Sequence, residues 1–400
     1  MPHSGNTPRP ERDHLDPSTL CARPAGLPPS ATQPLVPPLQ LSSVYSVAGL
    51  EQIDALYERR EQGFIYARDG HPNASQLAAK IAALEGAEAG LVCASGMAAE
   101  AALFLTLLGQ GAHVALSEGL YGKTVALVGR ELARFGISHS LFDAARPESL
   151  RAVVTPATRV VFAETLSNPL LRLADIAGLA EVSRVASATL VIDHTFAPLL
   201  CFPLALGADV VAHSATKLIG GHSDLTLGLA AGPSELIART AATASTFGLS
   251  GNPFESWLAL RGMATLSLRS SRACATALKL AERLAGDRRV RTAHYPGLVA
   301  HPDHVRAAHW LKGGFGTIVT IDLEDRQRAD LFIRALQHIP FAPSLADVAT
   351  TLSHPASTSH RNQSPEQWAR QGITPGLVRL SVGLEDPDDL WADIDQALPP

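Results

Sequence analysis

The sequence predicts an α/β protein in which a mostly parallel sheet, covered by helices on both faces, precedes a smaller C-terminal α+β domain. Three observations lead to this fold class. Short apolar runs alternate with helical patterns over residues 90–254, as they do in βαβ units. Beyond that point long helical patterns dominate. The chain has 400 residues, 46% of them hydrophobic, which is enough for two domains with a large core.

We expect three segments along the chain. Residues 1–62 form an N-terminal extension and arm, residues 63–255 a ligand-binding domain, and residues 256–400 a C-terminal domain. The first 38 residues are rich in Pro, Ser and Thr without periodicity, so we expect disorder at the start and then an extended arm lying on a partner subunit. A short helix is predicted over residues 53–60.

The predicted elements follow in order. Leu77, Ile81 and Leu84 recur at helical spacing, and Gly86 ends that helix. Strands are predicted over residues 91–94, 113–116, 137–142, 160–164, 190–193, 210–213, 316–323 and 377–382. Helices are predicted over residues 96–108, from about 120, and over 176–186, 257–284, 327–336 and 388–398.

Composition argues against several classes of function. The net charge of −5 is not gathered into blocks, so nucleic acid is not an expected partner. The longest apolar stretch, residues 89–108, contains Ser95, Gly96 and Glu100, and it indicates a strand and a helix, not a membrane span. The four cysteines lack metal-ligand spacing, and the N-terminus has no apolar core. We therefore expect reduced thiols, no signal peptide and a cytoplasmic location.

The most informative residue is Lys217, which follows an apolar run over residues 208–212 that is typical of a buried strand. Burial penalises an ammonium group. Ser214 and Thr216 flank the lysine, and their hydroxyls suit a phosphate. A lysine next to a phosphate-bearing carbonyl compound suggests a Schiff base with pyridoxal phosphate. From this stretch alone, a purely structural lysine is an equal alternative.

Two other predicted strand ends carry polar groups that suit the same cofactor. Ser95-Gly96-Met97 opens a helix, where free N–H groups suit a phosphate; capping by Ser95 is the alternative. Asp193 ends a buried strand, and a buried carboxylate needs a cation or several donors. A protonated pyridine nitrogen would be such a cation, and capping of the next turn is the alternative.

Tyr121 and Arg379 complete the set of candidate residues. Tyr121 begins a helix at a strand end and could stack on a flat cofactor and pass protons, or simply pack. Arg379 lies among apolar neighbours of a predicted strand, and its guanidinium suits a carboxylate. Its alternative is a salt bridge to Glu385 or Asp386. Together these residues meet the needs of an amino-acid substrate on pyridoxal phosphate.

The chain resembles the Cys/Met-metabolism family of pyridoxal-phosphate enzymes, which includes cystathionine γ-synthase, cystathionine γ-lyase, methionine γ-lyase and the O-acylhomoserine sulfhydrylases. The resemblance implies the type I, aspartate-aminotransferase-like fold and a homotetramer built as a dimer of dimers. The motifs that carry it are Tyr66-Ala67-Arg68, Ser95-Gly96-Met97-Ala98-Ala99, Tyr121-Gly122, Glu164-Thr165, Asn168-Pro169, Asp193, Ser214-Ala215-Thr216-Lys217 and Arg379-Leu380-Ser381-Val382-Gly383.

The resemblance also implies roles at the matching positions. Lys217 would hold the cofactor and shuttle protons, Asp193 would pair with the pyridine nitrogen, and Asn168 would contact the phenolic oxygen. Tyr121 would stack on the ring and assist the leaving group. The phosphate would be held by Gly96, Met97, Ser214 and Thr216, and by Tyr66 and Arg68 of a neighbouring subunit. The substrate carboxylate would be bound by Arg379, with Ser344 nearby.

The chain departs from the family pattern at several positions. His71-Pro72-Asn73 stands where Asn-Pro-Thr is usual, and His194 where Asn is usual; we expect His194 to act through its neighbours. Lys123 replaces a small residue near the substrate side chain, so it either favours an acidic distal group or points to solvent. Pro343 stands where cystathionine-handling members carry Glu, which weakens a dedicated cystathionine activity.

Two reactions remain open because both use the same residues. The first is γ-elimination by a carbon–sulfur lyase of the methionine γ-lyase or cystathionine γ-lyase type. The second is γ-replacement by a transferase that uses an activated homoserine in transsulfuration. A catalytically silent binding protein is a third alternative, which the presence of Lys217, Asp193 and Arg379 argues against.

Overall fold

The structure is a computed structural model that describes residues 16–22, 32, 34–361 and 363–400. The disorder expected at the start of the chain falls on residues 1–15, outside the described residues, and the expected arm lies only partly within them. No helix among the described residues combines the length and apolar character needed to cross a membrane.

The described residues contain two sheets and a series of helices. The strands are β1 (Ala89–Cys93), β2 (His113–Ser117), β3 (Ser138–Phe142), β4 (Thr158–Glu164), β5 (Thr189–Asp193), β6 (Val210–Ser214), β7 (Gly228–Gly232), β8 (Thr292–His294), β9 (Ile318–Asp322), β10 (Thr351–Ser353) and β11 (Leu377–Ser381). The helices are α1 (Pro17–Ala22), α2 (Leu50–Tyr57), α3 (Pro72–Glu85), α4 (Gly96–Leu107), α5 (Gly122–Ala126), α6 (Pro147–Val153), α7 (Ile176–Val185), α8 (Ser234–Thr246), α9 (Pro253–Met263), α10 (Leu266–Gly286), α11 (His304–Trp310), α12 (Arg326–Ala335), α13 (Pro365–Gln371) and α14 (Pro387–Ala397).

The larger sheet confirms the predicted fold class. Its seven strands are ordered β1-β7-β6-β5-β4-β2-β3. Strands β2 to β6 pair in parallel, whereas β7 runs antiparallel to both β1 and β6. Because the carboxyl ends of the parallel strands meet at one edge, the residues that end β4, β5 and β6 are brought together there.

Helices cover both faces of this sheet, as the side-chain alternation of a strand requires. Val160 and Phe162 of β4 pack in one cluster with Phe104 of α4. Val161, between them, packs on the opposite face in a cluster with Leu179 of α7. All five side chains are buried, so the apolar runs of the sequence correspond to strands that are covered on both faces.

The smaller sheet is antiparallel, with the order β10-β11-β9-β8. It shares one apolar core with α10, α12 and α14. The sequence patterns indicated β9 and β11 but not β8 and β10, which have three residues each and are too short to show alternation.

The single long helix predicted over residues 257–284 is wrong, because α9 and α10 are separate helices. Arg269 is the physical reason for the break. Its buried guanidinium donates to the carbonyls of Leu218 (2.7 Å), Ile219 (3.2 Å) and Gly262 (2.7 Å). It thus binds a carbonyl at the end of α9, and its Nε donates to the Thr265 hydroxyl between the helices at 3.0 Å.

The N-terminal stretch also contains a helix that the sequence patterns did not indicate. Cys21 of α1 is buried in the largest apolar cluster. Its carbonyl accepts a hydrogen bond from Lys80 Nζ at 2.6 Å. A six-residue helix has too few turns to show periodicity, so only tertiary packing reveals it.

Candidate active site

A cavity of about 230 Å³ lies at the carboxyl edge of the parallel strands. It is also bordered by loops that flank the smaller sheet, which supply Pro343, Ser344 and Leu345, and by Arg379 of β11. The predicted site residues that line this cavity are Gly96, Met97, Tyr121, Asn168, Asp193, Ser214, Thr216, Lys217, Ser344 and Arg379.

Lys217 lies just beyond β6, with its amine directed across the cavity. Nζ donates a hydrogen bond to the Ser344 hydroxyl at 3.2 Å. Burial lowers the pKa of Lys217, and the positive charge of Arg379 lowers it further. A lysine with a depressed pKa has a larger fraction of neutral amine, which is the form that attacks a carbonyl carbon.

The N-terminus of α4 forms one wall of the cavity. The Ser95 side chain caps the helix by accepting from the Ala98 N–H at 3.0 Å, so the capping interpretation is correct as geometry. It leaves the first N–H groups of the helix without intrahelical partners. A Cβ at Gly96 would lie 2.9 Å from Cβ of Ser214. Only glycine permits this close approach, which leaves a cradle suited to a phosphate.

Asp193 ends β5 and is partly buried. Its Oδ1 accepts from the Thr195 N–H at 2.9 Å, so it does cap the following turn. Burial raises the pKa of Asp193, while hydrogen bonds from Thr195 and the charge of His213 oppose the rise. A cation placed against such a carboxyl group would stabilise its ionised form. A pyridinium nitrogen is a cation of this kind.

Arg379 is 4% exposed and does not form the salt bridge that was its alternative. Its Nη1 donates to Asn168 Oδ1 at 2.8 Å and its Nη2 to the Ser344 carbonyl at 3.1 Å. Glu385 instead accepts from the Thr350 hydroxyl at 2.7 Å. Burial lowers the pKa of Arg379 to about 10. Its Nε is buried without a partner among the described residues, which suits a guanidinium awaiting a carboxylate.

Two further carboxyl groups line the cavity, and sequence reasoning assigned neither of them a role. Glu164 accepts from the Tyr121 N–H at 2.7 Å and so fixes the start of α5. Burial, together with the charge of Asp193, raises the pKa of Glu164 well above its usual value. Glu100 accepts from the Thr124 hydroxyl at 2.7 Å. The sequence feature that could have indicated Glu100 is its position as a single carboxylate within an alanine-rich predicted helix.

Three predicted site residues lie away from this cavity. Tyr66 and Arg68 are both exposed, with the Arg68 guanidinium carbon 5.1 Å from the centre of the Tyr66 ring. Lys123 is exposed and lines a second cavity of about 610 Å³. Tyr121 and Ser359 line both cavities, so the second lies beside the first.

The positions that depart from the family pattern have structural partners. His71 caps α3, accepting from the Ala74 N–H at 3.1 Å. His194 is buried, with Nε2 at 3.0 Å from the Cys201 carbonyl and Nδ1 at 2.7 Å from the Thr165 hydroxyl. Because a carbonyl only accepts, Nε2 of His194 donates and Nδ1 accepts. Burial lowers the pKa of His194 to about 4.

Comparison with known proteins identifies the family to which the chain belongs. A family model described as Cys/Met metabolism PLP-dependent enzyme matches residues 18–399. The chain is 41% identical to the L-methionine gamma-lyase of Pseudomonas putida, over 91% of this chain and 92% of the relative. It is 40% identical to the O-succinylhomoserine sulfhydrylase of Pseudomonas aeruginosa, over 84% of each chain.

Solved structures give the same result for the fold. A cystathionine gamma synthase from Xanthomonas oryzae pv. oryzae superposes with a TM-score of 0.90 at 33% identity, covering 96% of this chain and 98% of that one. A putative O-acetylhomoserine (thiol)-lyase from Campylobacter jejuni superposes with a TM-score of 0.92 at 28% identity, covering 96% and 100%. The latter contains N'-pyridoxyl-lysine-5'-monophosphate.

The fold and the cavity define an enzyme that depends on pyridoxal phosphate and acts on an amino acid. The cradle at Gly96, the carboxyl of Asp193 and the amine of Lys217 line one cavity and are the kinds of group that suit that cofactor. The chain belongs to the Cys/Met metabolism family of PLP-dependent enzymes, and its reaction is a γ-elimination or a γ-replacement.

Proposed function

We propose that the chain is a carbon–sulfur lyase that catalyses γ-elimination, with preference for an uncharged thioether such as methionine. The observation that carries this proposal is the apolar wall formed by Pro343 and Leu345 on either side of Ser344. Neither side chain offers a carboxylate to a distal ammonium. Several similar relatives are named L-methionine gamma-lyase, including those of Pseudomonas putida and Treponema denticola.

Pyridoxal phosphate, when bound, supplies an electron sink that stabilises negative charge on the substrate next to its amino group. Lys217 holds the cofactor and afterwards moves protons at Cα and Cβ of the substrate. Asp193 pairs with the pyridine nitrogen. Asn168 Oδ1 is engaged by Arg379, which leaves its amide N–H groups to donate to the phenolic oxygen. The phosphate is held by Gly96, Met97, Ser214 and Thr216.

Arg379 and Ser344 bind and orient the substrate α-carboxylate through charge-assisted hydrogen bonds. Tyr121 lies over the cavity and serves the leaving group. Burial raises the pKa of Tyr121, and Glu100 raises it further where Glu100 is ionised. The phenol therefore keeps its proton at neutral pH and can donate it to a departing thiolate. For methionine, cleavage of the C–S bond and addition of water give methanethiol, ammonia and 2-oxobutyrate.

The alternative function is γ-replacement on an acylated homoserine, and a specific feature favours it. The second cavity, beside Tyr121, is lined by three cations, Lys123, Arg130 and Arg370, against one carboxylate, Glu118. This charge suits an acidic distal group such as a succinyl ester. One relative at 40% identity is named O-succinylhomoserine sulfhydrylase.

We also propose a homo-oligomer, a dimer of dimers, in which Tyr66 and Arg68 reach the phosphate of the neighbouring site. Both residues are exposed and lie outside the cavity of their own chain, which agrees with a role in another subunit. Residues 63–255 and 256–400 would form the two domains, with residues 1–62 as extension and arm. A cytoplasmic location is part of the same proposal.

A substrate panel tests lyase against transferase. Methionine, cystathionine, O-acetylhomoserine and O-succinylhomoserine are each incubated with and without a thiol, and 2-oxobutyrate and thioether products are measured. We expect 2-oxobutyrate from methionine without added thiol. A thioether as the main product, formed only from an acylhomoserine, would establish the transferase instead. The variant Lys217→Ala is the control and loses both activity and the visible absorbance of bound cofactor.

Replacement of Lys123 tests the alternative directly. If Lys123 binds an acidic distal group, Lys123→Ala raises KM for O-succinylhomoserine about 2- to 5-fold, the loss expected for one exposed ion pair. KM for O-acetylhomoserine then stays unchanged. Arg134→Ala, an exposed cation that does not line the second cavity, is the matched control. An unchanged ratio of the two KM values shows that Lys123 points to solvent.

A further inference from the structure

Glu100 is a carboxyl group buried in an apolar helix at the edge of the candidate active site. It lies in the second turn of α4. The only other residue of that helix with a polar side chain is Thr106. Its side chain is 4% exposed and lines the same cavity as Asp193. The Thr124 hydroxyl, itself buried, donates to Glu100 Oε2 at 2.7 Å. This contact fixes the carboxyl at the cavity wall.

The charge that acts on Glu100 is the negative charge of Asp193. Asp193 raises the pKa of Glu100 beyond the effect of burial, to about 8. The charge of Glu100 in turn raises the pKa values of Glu164 and Tyr121. The cations Lys217 and Arg379 line the same cavity. The elements packed against α4 carry further titratable or charged side chains, namely Cys93 of β1, Lys123 of α5, Arg159 of β4, His213 of β6, and Glu235 and Arg239 of α8.

Two carboxyl groups on the wall of one buried cavity repel each other when both are charged, so ionising both has a large free-energy cost. Such a pair holds one proton in common over a range of pH, and its titration belongs to the pair. Asp193 is tied to the Thr195 N–H, which favours its ionised form. Glu100 accepts from a hydroxyl and has no such backbone donor among its described contacts. The proton therefore resides mainly on Glu100.

We propose that Glu100 is a positioning residue that shares a proton with Asp193 and thereby sets the charge that Asp193 presents to the pyridine nitrogen. The inference rests on the role proposed above for Asp193. Near neutral pH the pair carries a single negative charge, on Asp193. At higher pH Glu100 releases its proton to solvent, and a second negative charge appears beside the ring site.

The first experiment uses the protein without cofactor, so that it depends on neither activity nor ring chemistry. Glu100→Gln keeps the volume and the contact with Thr124 but cannot ionise. The folded-state pKa of Glu100 is about 8 against an ordinary 4.5, so the stability linked to its proton is present at low pH. That stability is lost as the pH rises through about 8.

We therefore expect the urea midpoint of wild type, relative to Glu100→Gln, to fall between pH 5 and pH 9. Glu181→Gln, at an exposed position of α7, is the matched control and should show no such trend. Parallel pH profiles for wild type and Glu100→Gln would overturn the shared proton.

The second experiment uses the holoenzyme and the pH midpoint of its visible absorbance change. A carboxylate at residue 100 stabilises nearby cations, so we expect this midpoint to be lower in Glu100→Gln by about half a pH unit or more. An unshifted midpoint overturns the link to the cofactor. Asp193→Asn separates the two proposals. If the visible absorbance of the Asp193→Asn holoenzyme matches that of wild type, the proposed pairing of Asp193 with the pyridine nitrogen is wrong. The unfolding experiment without cofactor does not depend on that pairing and tests only the proton shared by Glu100 and Asp193.

Discussion

Single residues explain why this cavity favours an anionic substrate. Lys217, just beyond β6, and Arg379, on β11, are cations that line the same cavity. Burial lowers the pKa of each, and the charge of Arg379 lowers the pKa of Lys217 further. An anionic substrate relieves this cost, because a carboxylate beside Arg379 neutralises charge in a site of low polarity.

The guanidinium geometry at residue 379 can be tested with a conservative change. Arg379→Lys keeps the charge but loses the fork that reaches Asn168 and Ser344 at once. We expect KM for the amino-acid substrate to rise roughly 10- to 100-fold, the loss of a charge-assisted hydrogen bond. The absorbance of bound cofactor should persist. Arg272→Lys, an exposed arginine, is the control; a KM no higher than that of the control contradicts the role.

The buried histidine at residue 194 predicts loss of stability in acid. Its folded-state pKa is about 4 and its ordinary value 6.5, so its contribution is complete above pH 6.5 and disappears as the pH falls towards 4. This shift in pKa corresponds to a contribution of at most about 3 kcal/mol to the free energy of unfolding. We expect the free energy of unfolding of His194→Asn to be lower than that of wild type at pH 7, and this difference to become smaller as the pH falls to 4.5. Denaturant unfolding of the cofactor-free proteins measures this.

The control for that experiment is His338→Asn, because His338 is exposed. Its stability relative to wild type should not change across the same range of pH. If the deficit of His194→Asn stays constant from pH 7 to pH 4.5, the buried neutral histidine is not a source of acid sensitivity.

How much of the site could be predicted from sequence depends on how far apart the partners lie. Lys217 and Asp193 follow apolar runs directly, and the geometry of parallel strands brings such residues to one edge. Glu85 and His213 form a buried pair, Oε1 to Nε2 2.8 Å, across 128 positions. No local pattern links them. The same applies to Glu100, whose partner Thr124 belongs to another helix.

At the scale of elements, β7 shows why some strands escaped prediction. Four of the five residues of Gly228–Gly232 are Gly or Ala, whereas β-branched and aromatic residues mark most strands. The structure explains the composition: a Cβ at Gly228 would lie 2.0 Å from the Ser95 carbonyl oxygen. The strand inserts between β1 and β6, so its close approach sets the position of the turn that begins α4.

Gly228→Ala tests this packing. Because the atom that a new Cβ meets is backbone, relief requires a shift of the strand or of the α4 turn, and we expect a loss of about 1–3 kcal/mol in the free energy of unfolding. The affinity for pyridoxal phosphate should also fall, since Ser95 and Gly96 move. Urea unfolding and cofactor titration measure the two effects.

Gly286→Ala is the matched control, since a Cβ there meets nothing within 4 Å and the residue ends α10. It should be neutral or slightly stabilising. Equal stability of Gly228→Ala and Gly286→Ala would show that β7 has room for a side chain.

The break between α9 and α10 shows a second limit of sequence patterns at this scale. Helical periodicity continues through residues 257–284, because the residues on either side of the break both face the apolar core. Its cause is a buried guanidinium that binds carbonyls from a distant loop. Only the tertiary fold brings Leu218 and Ile219 to Arg269, so periodicity alone predicts one helix.

At the scale of the whole molecule, the proposed oligomer would complete the site with Tyr66 and Arg68, which lie outside the cavity of their own chain. Apolar side chains along the adjoining arm are exposed, including Leu35, Val36, Leu41 and Val44. Exposed apolar groups clustered on one segment are typical of a surface covered by a partner. A second copy of this chain is the partner that the proposed oligomer supplies.

Hybrid dimers distinguish a contribution within one chain from a contribution across subunits. Lys217→Ala and Arg68→Ala chains are co-expressed with different affinity tags, and the mixed species is isolated with both tags. If Arg68 serves the neighbouring site, one site of the hybrid has intact Lys217 and intact Arg68, so about half of wild-type activity per dimer returns. If Arg68 serves its own chain, each site keeps one defect and activity stays at the level of the single variants.

Hybrids of Lys217→Ala with Arg59→Ala, another exposed arginine of the N-terminal segment, give the activity expected when one site of the dimer is intact. Activity of the hybrid no higher than that of the Arg68→Ala parent would place Arg68 outside the neighbouring site.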